Sequence, residues 1–230
     1  MEEIYYCILC NKPMIASGEL AKCSFCGKEE KADYICPEGH YICEDCRIAP
    51  ADKLIYKTCQ ATAETDPIKL AVLLMKHPAI PMHGPEHHYL VSCVLLATLR
   101  NLGKFEINDS LFKQAISRSK RILLGSCGLW GVCGAAAGVG IAISIATNAN
   151  WTSDKERSLA MYSVSEALAE VAKIGGPRCC KASVFASLEV ATRFLKREFG
   201  IRFPRLDSPF PCPFSSLNSE CLKEKCPYFR

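Results

Sequence analysis

The sequence predicts a mainly α-helical fold, in which a helical bundle of about six helices follows a small cysteine-rich module. Eight of the 16 cysteines lie within the first 59 residues, apolar residues at helical spacing dominate from Asp66 onward, and no convincing alternating strand pattern follows residue 60. We therefore divide the chain into a module at 1–60, an all-α helical domain at 61–203 and a cysteine- and proline-rich tail at 204–230 that packs on the helical domain.

Composition narrows the class of protein. The 230 residues are 49% hydrophobic and 23% charged, which is typical of a globular chain and argues against disorder. The net charge of +4 is too small to indicate nucleic-acid binding by itself. The acidic start, Met1 to Glu3, carries no signal-peptide pattern. We therefore expect a cytoplasmic protein with reduced, metal-binding cysteines rather than a secreted disulfide scaffold.

Four closely spaced pairs of metal-ligand residues occupy the first part of the chain. A pair on a tight turn can face one ion, and eight ligands are enough for two tetrahedral zinc ions. About 45 residues cannot bury a sufficient apolar core, so metal must contribute to the folding free energy. Closed sites with four protein ligands leave no position for chemistry, so we expect a structural platform. The predicted ligands are Cys7, Cys10, Cys23, Cys26, Cys36, His40, Cys43 and Cys46.

The stretch from Cys36 to Cys46 resembles the middle of the cross-brace fingers of the RING and PHD-like type. That resemblance implies interleaved sites, and it makes a protein partner plausible through this module. Spacing alone leaves a second arrangement open, with one sequential site at 7–26 and another at 36–46, as in tandem zinc ribbons. The interleaved arrangement would assign one zinc to Cys7, Cys10, Cys36 and His40, and the other to Cys23, Cys26, Cys43 and Cys46.

Local capping signals define the predicted helices of the domain. Asp66 and Pro67 are residues that favour a helix start, and Gly103, Gly175 and Gly200 favour helix ends. The resulting helices run from Asp66 to His77, Glu86 to Leu102, Asn108 to about Leu124, Gly131 to Thr147, Lys155 to Ile174, and Pro177 to Phe199.

The segment 122–153 contains no charged residue and is long enough to span a bilayer. Its glycines, cysteines and asparagines make it poorly apolar, and no aromatic belt flanks both ends. We therefore expect a central helix packed closely inside the bundle, with no membrane span.

Three glycine-containing segments, 82–88, 125–134 and 175–181, each enter a helix. Helix N-termini expose unpaired N–H groups that stabilise anions and thiolates. We expect Cys179 and Cys180 in the first turn of a helix opened by Pro177, with lowered pKa values and side chains about 100° apart. Adjacent His87 and His88 diverge equally, so one of them is expected to be solvated or otherwise satisfied. The candidate catalytic residues are Cys179, Cys180, His83, Glu86 and His87, with Cys127 and Cys133 facing them.

The tail adds Cys212, Cys221 and Cys226. Together with Cys179 or Cys180 they would supply the four thiolates of a [4Fe–4S] cluster. Cys127, Cys133, Cys179 and Cys180 could equally supply four, and zinc in the tail is a further alternative. The sequence therefore predicts a metalloprotein acting in redox, sulfur or one-carbon chemistry or in cofactor maturation. A non-enzymatic scaffold is the alternative, and neither a membrane nor a nucleic acid is an expected partner.

Three strings carry a further resemblance: HGPEHH at 83–88, GVCGAA at 131–136 and GGPRCCK at 175–181. They are similar to the signatures of a domain-of-unknown-function family of anaerobic archaea and bacteria, some of whose members are joined to methyltransferase-like domains. The resemblance covers roughly residues 60–230. It implies no activity, but it implies that the three motifs belong together, and an anaerobic cytoplasm would suit an oxygen-sensitive cluster.

Overall fold

The computed structural model describes residues 4–204 and 210–230. The acidic start at 1–3 and part of the predicted tail, 205–209, lie outside the described residues. The N-terminal module contains two small antiparallel sheets: β1 (Ile15–Ala16) pairs with β4 (Tyr34–Ile35), and β2 (Leu20–Lys22) pairs with β3 (Glu29–Lys31). Strands of two or three residues cannot form a stable sheet by themselves, so the module depends on other interactions.

Helices dominate the rest of the described chain, and the predicted fold class is confirmed. Six helices of nine or more residues lie between 66 and 204, as the capping pattern predicts. The helices are α1 (Glu44–Arg47), α2 (Ala51–Ala61), α3 (Pro67–Met75), α4 (Glu86–Asn101), α5 (Asp109–Ser119), α6 (Ser126–Leu129), α7 (Gly134–Ala146), α8 (Lys155–Ile174) and α9 (Cys180–Phe199).

Three helix boundaries differ from the prediction by three or more residues. Helix α7 begins at Gly134 rather than Gly131. The helix after Asn108 ends at Ser119 instead of continuing to Leu124, and the short α6 follows it. Helix α9 begins at Cys180 rather than Pro177, because Cys179 has an extended backbone with φ −131° and ψ 102°. Cys179 is therefore the N-cap residue, and only Cys180 lies in the first helical turn.

Helix α7 packs in the middle of the bundle, where it contacts α4, α5, α8 and α9. Its glycines allow close approach: a Cβ at Gly138 would lie 2.7 Å from the carbonyl oxygen of His88, and one at Gly140 would lie 2.3 Å from Val164. Among the described residues, no helix combines the length and the apolar character needed to cross a membrane.

The module and the tail both pack against the helices. The ring of Phe25 lies edge-on to His77 at the end of α3, with the ring centroids 5.3 Å apart. In the tail, Tyr228 donates a hydrogen bond of 2.9 Å to Glu189 of α9. The buried apolar residues of module, helices and tail form one continuous cluster. The division of the chain into three parts stays a prediction.

Candidate metal centres and the adjoining cavity

The module brings its eight predicted ligands into two interleaved groups. The ligand atoms of Cys7, Cys10, Cys36 and His40 all lie within 4.8 Å of one another, as do those of Cys23, Cys26, Cys43 and Cys46. This is the pairing that the cross-brace resemblance implied, and the sequential alternative is not adopted. Either group could hold a metal ion, and four Cys or three Cys with one His is the ligand set of structural zinc sites.

Backbone N–H groups help to stabilise thiolates in the module. The N–H of Glu38 donates to the sulfur of Cys36 at 3.4 Å, and that of Cys43 donates to Cys23 at 3.5 Å. Burial raises the pKa of Cys36, but the Glu38 N–H and hydrogen bonds with the side chains of Cys10, His40 and Cys7 outweigh it and lower the value to about 7. Burial raises the pKa of Cys46, so a bound cation is needed to keep that thiol ionised.

A second group of cysteines meets between the start of α9 and the tail. Cys179, Cys212, Cys221 and Cys226 line one small internal space of about 20 Å³. The N–H of Phe214 donates to the sulfur of Cys212 at 3.4 Å, and that of Lys223 donates to Cys221 at 3.4 Å. The side-chain amide of Asn218 donates to Cys179 at 3.7 Å.

The spacing of these four sulfurs differs from that in the module. Among the described residues, only the two module groups bring three or more ligand atoms within 4.8 Å of one another. A single tetrahedral zinc, with Zn–S bonds of about 2.3 Å, would hold its sulfurs roughly 3.8 Å apart. No three of the four tail-site sulfurs lie within 4.8 Å of one another.

Lys181 is a buried cation beside this group, and the sequence analysis missed its burial. Its side chain is 2% exposed, and its ammonium group donates to the carbonyl oxygens of Met75, Ile80 and Pro81 at 3.2, 3.4 and 3.2 Å. It also lies 4.7 Å from the ring centre of Phe214. Burial lowers the pKa of Lys181 to about 8, and the nearby thiols oppose that shift.

A cavity of about 660 Å³ opens where the three glycine-containing segments meet. It is bordered by the first residues of α4, α6, α7 and α9 and by the end of α8. Four predicted cysteines line it, namely Cys127, Cys133, Cys179 and Cys180, as do both His87 and His88. Cys127 is exposed at the surface, whereas Cys133 and Cys180 are half-buried.

Both adjacent histidines are buried, which excludes the solvated alternative and leaves the expectation that one of them is otherwise satisfied. His87 is 1% exposed and His88 is 9% exposed. Nδ1 of His87 lies 3.0 Å from the carbonyl oxygen of Gly84, while Nε2 has no hydrogen-bond partner among the described residues. Burial lowers the pKa of His87 to about 3, so its ring is neutral. Burial also lowers the pKa of His88, whose Nδ1 is likewise unpartnered.

The two adjacent cysteines differ in what they border. Cys179 lines both the space between the tail cysteines and the cavity, whereas Cys180 lines the cavity alone. The expected lowering of their pKa values is wrong, because burial raises the pKa of both thiols and outweighs the nearby backbone N–H groups. One of those groups is the N–H of Gly84.

His83 and Glu86 lie outside the residues that line the cavity. Nε2 of His83 is 3.7 Å from the carboxylate of Glu220 in the tail, which Arg178 also approaches at 3.5 Å. One carboxylate oxygen of Glu86 is buried without a hydrogen-bond partner among the described residues. The predicted catalytic set is therefore only partly brought together. Cys179, Cys180 and His87 line the cavity, and Cys179 also borders the tail group. His83 and Glu86 line neither space.

The motif-bearing part of the chain matches one family of proteins. Comparison with curated proteins and with solved structures finds no match. Residues 55–229 match the family described as "Family of unknown function (DUF5714)". This span includes α3 to α9, the cavity and the tail cysteines, and it leaves out most of the N-terminal module. The chain therefore belongs to this family of unknown function.

Proposed function

We propose that this chain is a cytoplasmic iron–sulfur redox protein, whose body holds a [4Fe–4S] cluster on Cys179, Cys212, Cys221 and Cys226. The N-terminal module would hold two zinc ions in a structural role. The observation that carries the proposal is the convergence of these four thiols, from the start of α9 and from the tail, on one internal space. Four cysteine thiolates are the usual ligands of such a cluster.

The surroundings of the four thiols favour the binding of a negatively charged group. Backbone N–H groups donate to the sulfurs of Cys212 and Cys221, and hydrogen bonds to sulfur are one way in which proteins tune cluster potentials. Lys181 places a buried positive charge beside them, and no carboxylate in the described parts of the chain forms an ion pair with it. Buried charges normally require a partner, and a thiolate-bound cluster would supply one.

The neighbouring cavity favours redox chemistry over a purely structural cluster. Cys179 of the proposed cluster site and Cys180 of the cavity are adjacent in the chain. An electron that leaves the cluster would therefore reach a molecule in the cavity through a short covalent route. Sixteen free thiols also suit a reducing cytoplasm.

Metal analysis of protein purified without oxygen tests the proposal. We expect about four iron and four sulfide per chain from this site, with a broad visible absorption that bleaches on reduction. The paired replacement Cys212→Ala/Cys226→Ala should abolish that iron and leave zinc unchanged. Cys93→Ala is the matched control, because Cys93 is a buried thiol within α4 and lines neither site. A body that contains only zinc, or an iron content that the paired replacement leaves undiminished, would overturn the proposal.

A protein-docking role is a second candidate, favoured by apolar side chains on the module surface. Ile15, Leu20 and Ile48 are all exposed. If docking is the function, Ile15→Lys/Leu20→Lys in the full chain should abolish complementation of a deletion strain. The cluster-site pair Cys212→Ala/Cys226→Ala should then complement normally. The redox proposal predicts the reverse result for both variants.

A further inference from the structure

We infer that the 660 Å³ cavity is a second metal-cluster site, with Cys127, Cys133 and Cys180 as thiolate ligands and Nε2 of His87 as an imidazole ligand. This inference goes beyond the proposed function, because the four donors are distinct from those of the tail site and each site can be tested without the other.

His87 is held in the state that a metal ligand requires. Its Nδ1 lies 3.0 Å from the carbonyl oxygen of Gly84, so Nδ1–H donates and the lone pair remains on Nε2. Metal-ligating histidines are typically oriented in this way, by donating their other N–H to a carbonyl or carboxylate. Nε2 is buried and has no partner in the described chain, and His87 is one of the residues that line the cavity. A buried polar atom without a partner is costly, and a bound metal would satisfy it.

The same glycine lies beside one of the thiols. The N–H of Gly84 lowers the pKa of Cys180, and the carbonyl of Gly84 receives the His87 hydrogen bond. The backbone of one residue therefore borders both an imidazole from α4 and a thiol from α9. Cys133, the N-cap residue of α7, and Cys127 of α6 line the same cavity. Thiolate and imidazole donors are suited to iron and zinc.

The spacing of the donors indicates a cluster rather than one ion. No three of the four donor atoms lie within 4.8 Å of one another, whereas the ligand atoms within each of the two module groups do. A multi-iron cluster occupies space between its ligands, and this cavity has room for one. Replacement of one cysteine by histidine is known chemistry for iron–sulfur clusters and raises their potential. The alternative is that the cavity binds an organic substrate without metal. The iron content of variants distinguishes a cluster from such a substrate.

The adjacent cysteines provide a matched pair of variants. After reconstitution of the full chain with ferrous iron and sulfide, we expect about eight iron per wild-type chain, which corresponds to two [4Fe–4S] clusters. Cys179→Ala should lose the half of the iron that is bound at the tail site, and Cys180→Ala should lose the half that is bound in the cavity. The double replacement should retain only zinc. Cys93→Ala should keep all the iron.

The failures of the two proposals are distinguishable. One possible result is that Cys180→Ala and Cys133→Ala both keep the full iron content, whereas Cys212→Ala loses iron. The cavity site is then wrong and the tail cluster stands. That result is also expected if the cavity binds an organic molecule. If Cys212→Ala keeps all the iron and Cys180→Ala loses it, the tail cluster is wrong and the cavity site stands.

Spectroscopy of the intact protein tests the role of His87 without relying on a variant that folds. Pulsed electron paramagnetic resonance of the reduced wild-type protein should detect a nitrogen strongly coupled to one cluster. His87→Cys should retain the iron, lose that coupling and lower the potential of the same cluster. Absence of a strongly coupled nitrogen in the wild type, or its loss on replacement of His88 instead, would overturn the assignment.

Discussion

Lys181 illustrates how a single residue can reveal the charge of a neighbouring site. A lysine with no carboxylate partner is rarely buried to 2% exposure, because removing an ammonium group from water is costly. Three carbonyl oxygens and an aromatic ring partly compensate this one. These groups carry no net charge, so they do not neutralise the ammonium group. Its positive charge remains available to an anionic group at the tail cysteines.

Replacing Lys181 by methionine should destabilise the protein by about 2–3 kcal/mol, because three buried carbonyl oxygens lose their donor. Urea unfolding of metal-free protein measures this difference. Lys173→Met is the control: Lys173 forms an exposed ion pair with Glu170, and the expected change is below about 1 kcal/mol. Equal effects of the two replacements would contradict the structural role of Lys181.

Gly134, the first residue of α7, illustrates a close approach that only glycine permits. A Cβ there would lie 2.2 Å from the ring of His88, which lines the cavity wall. We expect Gly134→Ala to destabilise the protein by about 1–3 kcal/mol through overpacking, and to displace His88. Thermal unfolding and the histidine ring signals in NMR spectra measure the two effects.

Gly128→Ala is the matched control for this prediction. A Cβ at Gly128 meets nothing within 4 Å, and its φ is not positive. The alanine should therefore be neutral or stabilise by a few tenths of a kcal/mol. Destabilisation by Gly128→Ala as large as that by Gly134→Ala would show that the segment tolerates no side chain for another reason.

At the scale of elements, local signals explain why the helices could be predicted. Asp66 accepts hydrogen bonds from the N–H groups of Ile68 and Lys69, and Asn108 accepts one from Ser110. These caps are encoded within four residues of sequence, so the helix starts were predicted correctly. The start of α9 was misplaced because Pro177 and Arg178 are compatible with a helix, and only the tertiary fold holds Cys179 extended.

The grouping of cysteines could be predicted only in part. Spacing identified the module ligands, but their interleaving depends on strand pairing across the module. Whether Cys179 or Cys180 joins the tail depends on where α9 begins, since one residue turns a helical side chain by about 100°. The sequence therefore could not decide between the two, and it also could not predict that both His87 and His88 are buried.

The tail packs against α9 mainly through aromatic side chains. Phe185 of α9 contacts Phe210 and Tyr228 edge-on, with centroid distances of 5.4 and 5.3 Å. Tyr228→Ala should therefore destabilise the protein by about 3 kcal/mol and accelerate trypsin cleavage at Lys223 and Lys225.

Leu217→Ala is the control for the tail, because Leu217 is exposed and its truncation removes little packing. Mass spectrometry of timed trypsin digests identifies the cleavage sites. Cleavage at Lys223 that is equally fast in the wild type and in Tyr228→Ala would show that these aromatic contacts do not hold the tail.

At the scale of the whole molecule, two kinds of stabilisation coexist. The module has strands of two or three residues, and five of the nine buried residues at 4–47 are cysteines, so the order of this part depends on metal. The helices bury a large apolar core around α4 and α7, which needs no metal to form. The module contacts α3 through Phe25 and His77, and Lys76 donates a hydrogen bond to the carbonyl of Leu9.

This asymmetry predicts the consequence of removing one module site. Cys10→Ala/Cys36→Ala should release metal from the first group and abolish hydrogen-exchange protection across 4–47, because each cross-brace group connects distant parts of the module. Helices α4, α7 and α9 should keep their protection, because their core lies outside the module. Mass spectrometry of exchanging peptides measures both regions, with Cys59→Ala as a control that removes a buried thiol without removing a ligand. If α4 and α7 lose protection together with the module, the molecule is a single cooperative unit, and metal in the module stabilises the cavity as well.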